Sequence, residues 1–176
     1  LEIFEKYLPY NGKNANKENI KSFMQMLLRC RLALDGCFIR PTEYGYSLDM
    51  NLTEDDSDLR NLLMFQSMLY VSSSNYTNYR WFRWLMNVID SVNGVPKAND
   101  LYKSLKVEDY KLNPLLEYEE LSYGDIRYWF WRLDFYIWQH RTELFEKTSP
   151  EMSVADNYIF KRNRSIEHIA PQTPQS

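Results

Sequence analysis

Glycine is scarce in this sequence. Five of the 176 residues are glycine, about 3% where ~7% is usual, so few positions suit tight β-turns and helices are favoured over a sandwich or barrel. Histidine and cysteine are scarcer still, two of each. No Cys-x-x-Cys pair occurs, which argues against a zinc site. No uncharged run approaches the ~20 residues a spanning helix needs, so an integral helical membrane protein is excluded. Neither sign of charge dominates: 21 Lys and Arg stand against 24 Asp and Glu, for a net charge of −3. A generally basic nucleic-acid coat is thereby excluded, while a local basic patch is not. Cys30 and Cys37, seven positions apart on one continuous helix, would lie ~10 Å from each other, too far for a disulfide. Two free thiols in a chain without a signal segment fit a reducing cytoplasm. Asn51-Leu-Thr, Asn75-Tyr-Thr and Asn163-Arg-Ser then read as chance matches to the glycosylation pattern.

What the chain has in quantity is aromatic side chains, 16% of its residues, arranged at helical spacing. Ile20, Phe23, Met24, Leu27, Leu28 and Leu34 mark one face of a first helix, capped by Asn16 or Asn19 and stopped at Gly36. Residues 37–58, with Pro41, Gly45 and the acidic run Glu54-Asp55-Asp56-Ser57-Asp58, form a long loop holding at most a short extended piece. A second helix over 57–72 presents Leu59, Leu62, Leu63, Gln66 and Leu69, and the carboxylates before it complement its dipole. A third, 78–92, points Trp81, Phe82, Leu85, Ile89 and Val92 inward and ends at Gly94 and Pro96. A shorter one near 99–106 is capped by Asn99 and anchored by Leu101, Tyr102 and Leu105. Ser149-Pro150 reads as the cap and first residue of a short last helix.

The strongest periodic segment is 124–147. Ile126, Phe130, Leu133, Ile137, His140 and Leu144 form one row, and Trp131, Phe135 and Trp138 form another. A helix apolar on more than one face is normally surrounded by others, so it is expected at the centre of the bundle. Its aromatic stripe then reads as core and not as a stacking platform. Arg132 and Asp134 read as rim or paired groups, and His140 as a satisfied core imidazole. The fold class expected is all-α, a five- or six-helix bundle with a C-terminal extended tail.

Two stretches carry chemistry. Arg80 and Arg83, interleaved with Trp81 and Trp84, suit phosphate contact through guanidinium forks; the plainer reading is a solvated helix face whose arginines cover apolar neighbours. In the last segment Lys161, Arg162 and Arg164 precede Ser165-Ile-Glu-His168. An imidazole beside a basic cluster suits phosphodiester hydrolysis, in which a neutral His deprotonates water, a divalent metal stabilises the developing charge and cations hold the strand.

Ser165-Ile166-Glu167-His168-Ile169-Ala170-Pro171-Gln172 resembles the (S/T)-(I/V)-E-H-(I/L)-x-P-Q signature that opens the HNH-type nuclease domain of GmrSD-like bacterial restriction and defence proteins, with Ala170 in place of the commoner Leu. In that family a ParB-like nucleotide-binding domain is followed by a helical region and then by the HNH module. Leu63-Met-Phe-Gln-Ser-Met-Leu-Tyr, Arg80-Trp-Phe-Arg-Trp-Leu and Tyr128-Trp-Phe-Trp-Arg-Leu-Asp-Phe-Tyr-Ile-Trp resemble the helical region, so the resemblance spans about residues 20–172.

The resemblance implies that residues 1–156 are a helical connecting domain and 157–176 the truncated start of the nuclease, its first strand left unpaired. The parent would be a modification-dependent, type IV-like restriction endonuclease or a related phage-defence protein in the bacterial cytoplasm. It would cut DNA with a divalent metal such as Mg and a nucleoside triphosphate. On this reading His168 matches the general base, with Glu167 and Gln172 as local supports, and Arg80, Arg83, Lys161, Arg162 and Arg164 are candidate DNA contacts. The partners expected are DNA and the flanking nucleotide-binding and nuclease domains, with no membrane. The later HNH residues, an Asn and a second His, and the family's nucleotide-binding Asp and Gln-Gln-Arg are missing. The chain therefore reads as an excised fragment, inactive by itself, with no complete metal site and no cofactor of its own. Two rivals stand beside this reading. A free-standing helical interaction module would expose an apolar patch larger than ~400 Å². A small-molecule-binding bundle would enclose a pocket among Trp129, Trp131 and Trp138.

Overall fold

Apolar residues at helical spacing leave this chain little choice but to pack helix against helix, and the bundle they form is all-α. The computed structural model describes residues 17–50, 56–72, 80–92, 96–114 and 123–161. Five long helices, α1 (Lys17–Cys37), α2 (Asp56–Ser72), α3 (Arg80–Ser91), α4 (Ala98–Leu112) and α5 (Tyr123–Gln139), are followed by the short α6 (Arg141–Leu144) and α7 (Pro150–Asp156). Between α1 and α2 the expected loop holds a small antiparallel hairpin, β1 (Arg40–Thr42) and β2 (Gly45–Ser47), with Arg40 opposite Ser47 and Thr42 opposite Gly45. Gly45 turns it at φ +147°, a backbone conformation other residues rarely adopt. Among the described residues no helix is long and apolar enough to cross a membrane.

The centre of the bundle is α2, and not the aromatic helix α5 that periodicity favours. Leu62, Phe65, Met68, Leu69 and Val71 are buried, and so are the polar Gln66 and Ser67 between them. This helix packs on α4 and α5 and touches β2. These two buried polar residues are satisfied. Ser67 Oγ donates to the Leu63 carbonyl at 2.7 Å. Gln66 Oε1 accepts from the Ile39 amide at 3.1 Å, and its Nε2 donates to the Cys37 carbonyl at 2.8 Å. Buried amides cost little when every bond is made, so a sequence with a Gln-Ser pair in the middle still lies at the core.

Helix α5 lies against one flank of α2 and is buried along its second row, Trp131, Phe135 and Trp138. Phe65 of α2 meets Tyr102 of α4 and Phe135 of α5 edge-on, with ring centroids 5.6 and 5.0 Å apart. In the first row Phe130, Leu133 and Leu144 are exposed. The expected single helix over 124–147 breaks at His140, where the chain turns before α6. The backbone N–H groups of His140 and Leu144 still find carbonyls, at Tyr136 and His140, so the break strands neither of them.

Helix α1 departs furthest from expectation. Its buried residues are Phe23, Ala33 and Cys37, whereas Ile20, Met24, Leu27, Leu28, Leu32 and Leu34 are exposed, Met24, Leu28 and Leu32 by 58, 59 and 64%. The apolar arc of this helix is wider than the strip that its main helical neighbour, α3, covers. Its last helical residue is Cys37, one past Gly36. The stripes of α3 (Trp81, Leu85, Ile89) and α4 (Leu101, Tyr102, Leu105) are as the spacing predicts. Helix α4 starts from Lys97 without a side-chain cap, not from Asn99, and runs six residues beyond 106 to Leu112. Ser149 caps α7, its Oγ accepting from the Met152 amide at 3.1 Å, with Pro150 in the first turn.

Candidate functional site

Of the residues that carry the nuclease resemblance, Glu167, His168 and Gln172 lie outside the described residues, as do Arg162 and Arg164. Lys161 is the last residue described, and it is exposed. Arg80 and Arg83 stand one turn apart on the outer side of α3, both exposed, while Trp81 beneath them is buried. That arrangement leaves both guanidinium groups facing solvent and the tryptophan in the core.

The described tail reaches Lys161 from a firm seat. Phe160 is 1% exposed and belongs to the core, although 157 onward reads in sequence as a loose first strand. Tyr158 packs on Phe160 with centroids 5.0 Å apart, and its hydroxyl donates to Asp134 Oδ2 at 2.6 Å. Burial is the main cause that holds the Tyr158 hydroxyl above its ordinary pKa, and the adjacent Asp134 adds to it. The donor therefore stays protonated through the neutral range.

A second polar cluster joins α4 to α5. Asp109, 1% exposed, accepts from Asn113 Nδ2 at 3.0 Å through Oδ1; through Oδ2 it accepts from the Tyr128 hydroxyl at 2.6 Å and from Arg132 Nη1. Arg132 Nη1 also donates to the Tyr128 oxygen at 2.6 Å, and the guanidinium carbon lies 4.0 Å from the centre of the Tyr110 ring. Its Nη2 is buried without a partner. Burial raises the Tyr128 pKa and lowers that of Arg132, and burial together with the Arg132 charge lowers that of Lys106 nearby. The charged pair Asp109–Arg132 at its centre is buried, and it acts as an ionic pin between two helices.

His140 is not the core imidazole expected. It stands at the break between α5 and α6 with a third of its side chain exposed. Its Nδ1 lies 3.1 Å from Glu143 Oε2, and its ring is 4.4 Å from that of Tyr136. Phe130, Leu133 and Leu144 of the same row are exposed, and the neighbours of the imidazole are the Tyr136 ring, the Glu143 carboxylate and solvent. Among the described residues no group of three or more His, Cys, Asp or Glu side chains is placed to hold a metal ion. Trp131 and Trp138 belong to the buried core cluster. A groove of about 690 Å³ does open elsewhere, between α1, the hairpin region and the end of α3, with Leu28, Leu32, Met50 and Ile89 along it and Arg29 and Arg40 at its edge. Both arginines are engaged: Arg29 donates to the Ile89 carbonyl at 2.6 Å, and Arg40 to the Asp35 carbonyl at 2.7 Å and Asp49 at 2.6 Å.

Comparison with protein-family models, with curated proteins and with solved structures finds no match for this chain. The clusters around Asp109 and Tyr158 are the polar features that periodicity misses. One signal for the first was available, because Asp109 continues the apolar stripe Leu101–Tyr102–Leu105 by one more turn. A carboxylate at a core position needs a cationic partner.

Proposed function

We propose that this chain is the helical connecting domain of a modification-dependent restriction endonuclease or a related phage-defence protein of the bacterial cytoplasm. Its part is to couple nucleotide state in a preceding module to metal-dependent DNA cleavage in a following HNH-type module. The observation that carries the reading is the octet Ser165–Gln172 with His168 in the general-base position. The seat of Phe160 supports it: Ser165 lies five steps along the chain from that anchor, a reach of at most ~18 Å, so a module beginning there stays close to the bundle. Arg80, Arg83 and Lys161 add exposed positive charge that suits the phosphate backbone. The test uses the full-length parent, with and without His168→Ala, assayed for cleavage of base-modified and plain DNA with Mg and nucleoside triphosphate. Loss of cleavage in the variant is expected. Unchanged cleavage would remove His168 from the mechanism, and an inert parent would remove the nuclease reading.

A second reading, a helical protein-interaction module without catalysis, is favoured by the exposed apolar face of α1. Faces of this kind mark association surfaces. It predicts that Met24→Lys with Leu28→Lys abolishes association seen by light scattering while leaving the helical circular dichroism intact. A chain that is monodisperse and monomeric with or without these changes speaks against it.

A further inference from the structure

We infer that residues 156–160 form a coupling joint, a polar lock that fixes the direction in which the chain leaves the bundle and ties it to three helices at once. Asp156, the last residue of α7, is held from two sides. Its carbonyl accepts from Arg60 of α2 at 2.7 Å, and its Oδ1 accepts from Arg141 of α6 at 2.6 Å. Both arginines flank Trp138 of α5, with guanidinium carbons 5.8 and 4.8 Å from its ring. Arg141 Nη1 also donates to the Trp138 carbonyl at 2.8 Å. Two residues on, the Tyr158 hydroxyl bonds Asp134 of α5. Ile159 lies over the hairpin turn, where a side chain on Gly45 would meet its Cγ2 at 3.2 Å.

Phe160 gives the segment one apolar anchor, but the apolar packing of α7 itself is sparse. Met152 and Ala155 are the buried residues of α7. A cavity of about 420 Å³ opens between α7 and α5, bordered by Ile137, Trp138, Phe145, Val154 and Tyr158. With open space beside the helix, the charge-assisted bonds to Asp156 and Asp134 share the attachment with the buried Phe160 ring. A joint made of such bonds opens locally at a free energy below that of global unfolding. It also passes on any shift of α2, α5 or α6, since one side chain from each grips the exit. The consequence for cleavage rests on the nuclease reading above; the mechanical statement does not.

The test is the double variant Asp156→Ala, Tyr158→Phe, which keeps the aromatic ring and removes both side-chain bonds. Hydrogen exchange is followed at the Asn157 and Tyr158 amides, which donate to the Ser153 and Ala155 carbonyls. The wild-type amides should be protected, and the double variant should exchange them about 10- to 100-fold faster with α2 amides unchanged. Unprotected wild-type amides, unchanged protection in the variant, or equal acceleration throughout α2 would each overturn the joint. In the full-length parent the same variant should retain basal cleavage and lose at least fivefold of its nucleotide stimulation. Full stimulation despite lost protection would overturn the coupling role. A wild-type parent that cuts no DNA defeats the nuclease reading alone, and the exchange data still decide the joint.

Discussion

Removing the carboxylate of Asp109 should cost far more than any surface ion pair in this protein. Asp109 is fully buried, and Arg132 is nearly so. In Asp109→Ala, Arg132 keeps the Tyr128 oxygen and the face of Tyr110 but loses its counter-ion, and its Nη2 is without a partner even in the intact protein. Breaking one side of a buried pair in this way costs about 3–5 kcal/mol, against a total stability on the order of 5–15 kcal/mol for a domain. The exposed pair Arg31–Asp35 on α1 should be worth ~0.3–0.5 kcal/mol by comparison. Urea unfolding followed by tryptophan fluorescence reads the difference, because Trp81, Trp131 and Trp138 are all buried. With a slope of ~2 kcal/mol/M, the midpoint should fall by roughly 1.5–2.5 M.

The control is Asp109→Leu with Arg132→Met, which removes both charges together. If the cost of Asp109→Ala comes from a stranded guanidinium, the double change should be milder than the single one. A loss below 1 kcal/mol in the single variant, or a double variant that is worse, would refute the assignment of this pair as the pin between α4 and α5.

Gln66→Leu keeps the volume of the side chain but strands the Ile39 amide and the Cys37 carbonyl; a loss of about 2–4 kcal/mol is expected in the same urea assay. Thiol labelling under native conditions should modify the half-buried Cys30 well before Cys37, whose thiol is buried and pushed up to about 11; equal rates would show that the end of α1 is open. Stability should decline on the alkaline side. Cys37 remains protonated in the folded chain above its ordinary value of 9 while the unfolded chain ionises, so its contribution fades between about pH 9 and 11. Burial raises Tyr102, Tyr128 and Tyr158 likewise, steepening the loss above pH ~10. A melting temperature flat from pH 8 to 11 would contradict these burials.

The helices were legible because their stripes are made of large apolar residues at regular spacing. Trp81, Leu85 and Ile89 of α3 needed nothing else, and Ser149-Pro150 announced α7 through its cap chemistry. The break at His140 was not legible, since neither Gly nor Pro stands there. At that point Arg141 engages Asp156, fifteen residues away, and the Trp138 carbonyl, contacts that belong to the tertiary fold. Of the proposed site, the sequence offers a motif in the octet, which lies outside the described residues, and charge at Arg80 and Arg83, which is exposed. Asp134 reads in sequence as a rim or paired group, and Tyr158 is its partner; that partner and the bonds to Asp156 were not legible, because apolar periodicity does not report them.

The contrast in burial between α1 and α2 follows from what surrounds each helix. Both helices carry apolar residues at helical spacing, and burial depends on how many neighbours surround an element. Helix α1 offers an arc of Leu and Met to one main helical neighbour and leaves much of it in water. Helix α2 carries Gln66 and Ser67 into the centre because each polar atom there has a partner fixed by the backbone around it. The Gln66 bonds do more than offset desolvation. They recognise the amide of Ile39 and the carbonyl of Cys37, so they accept one register of the chain after α1 and no other. A leucine at the same place would bury as much surface and accept several registers. The polar residue at the centre of α2 thus ties down the chain between the end of α1 and the start of the hairpin.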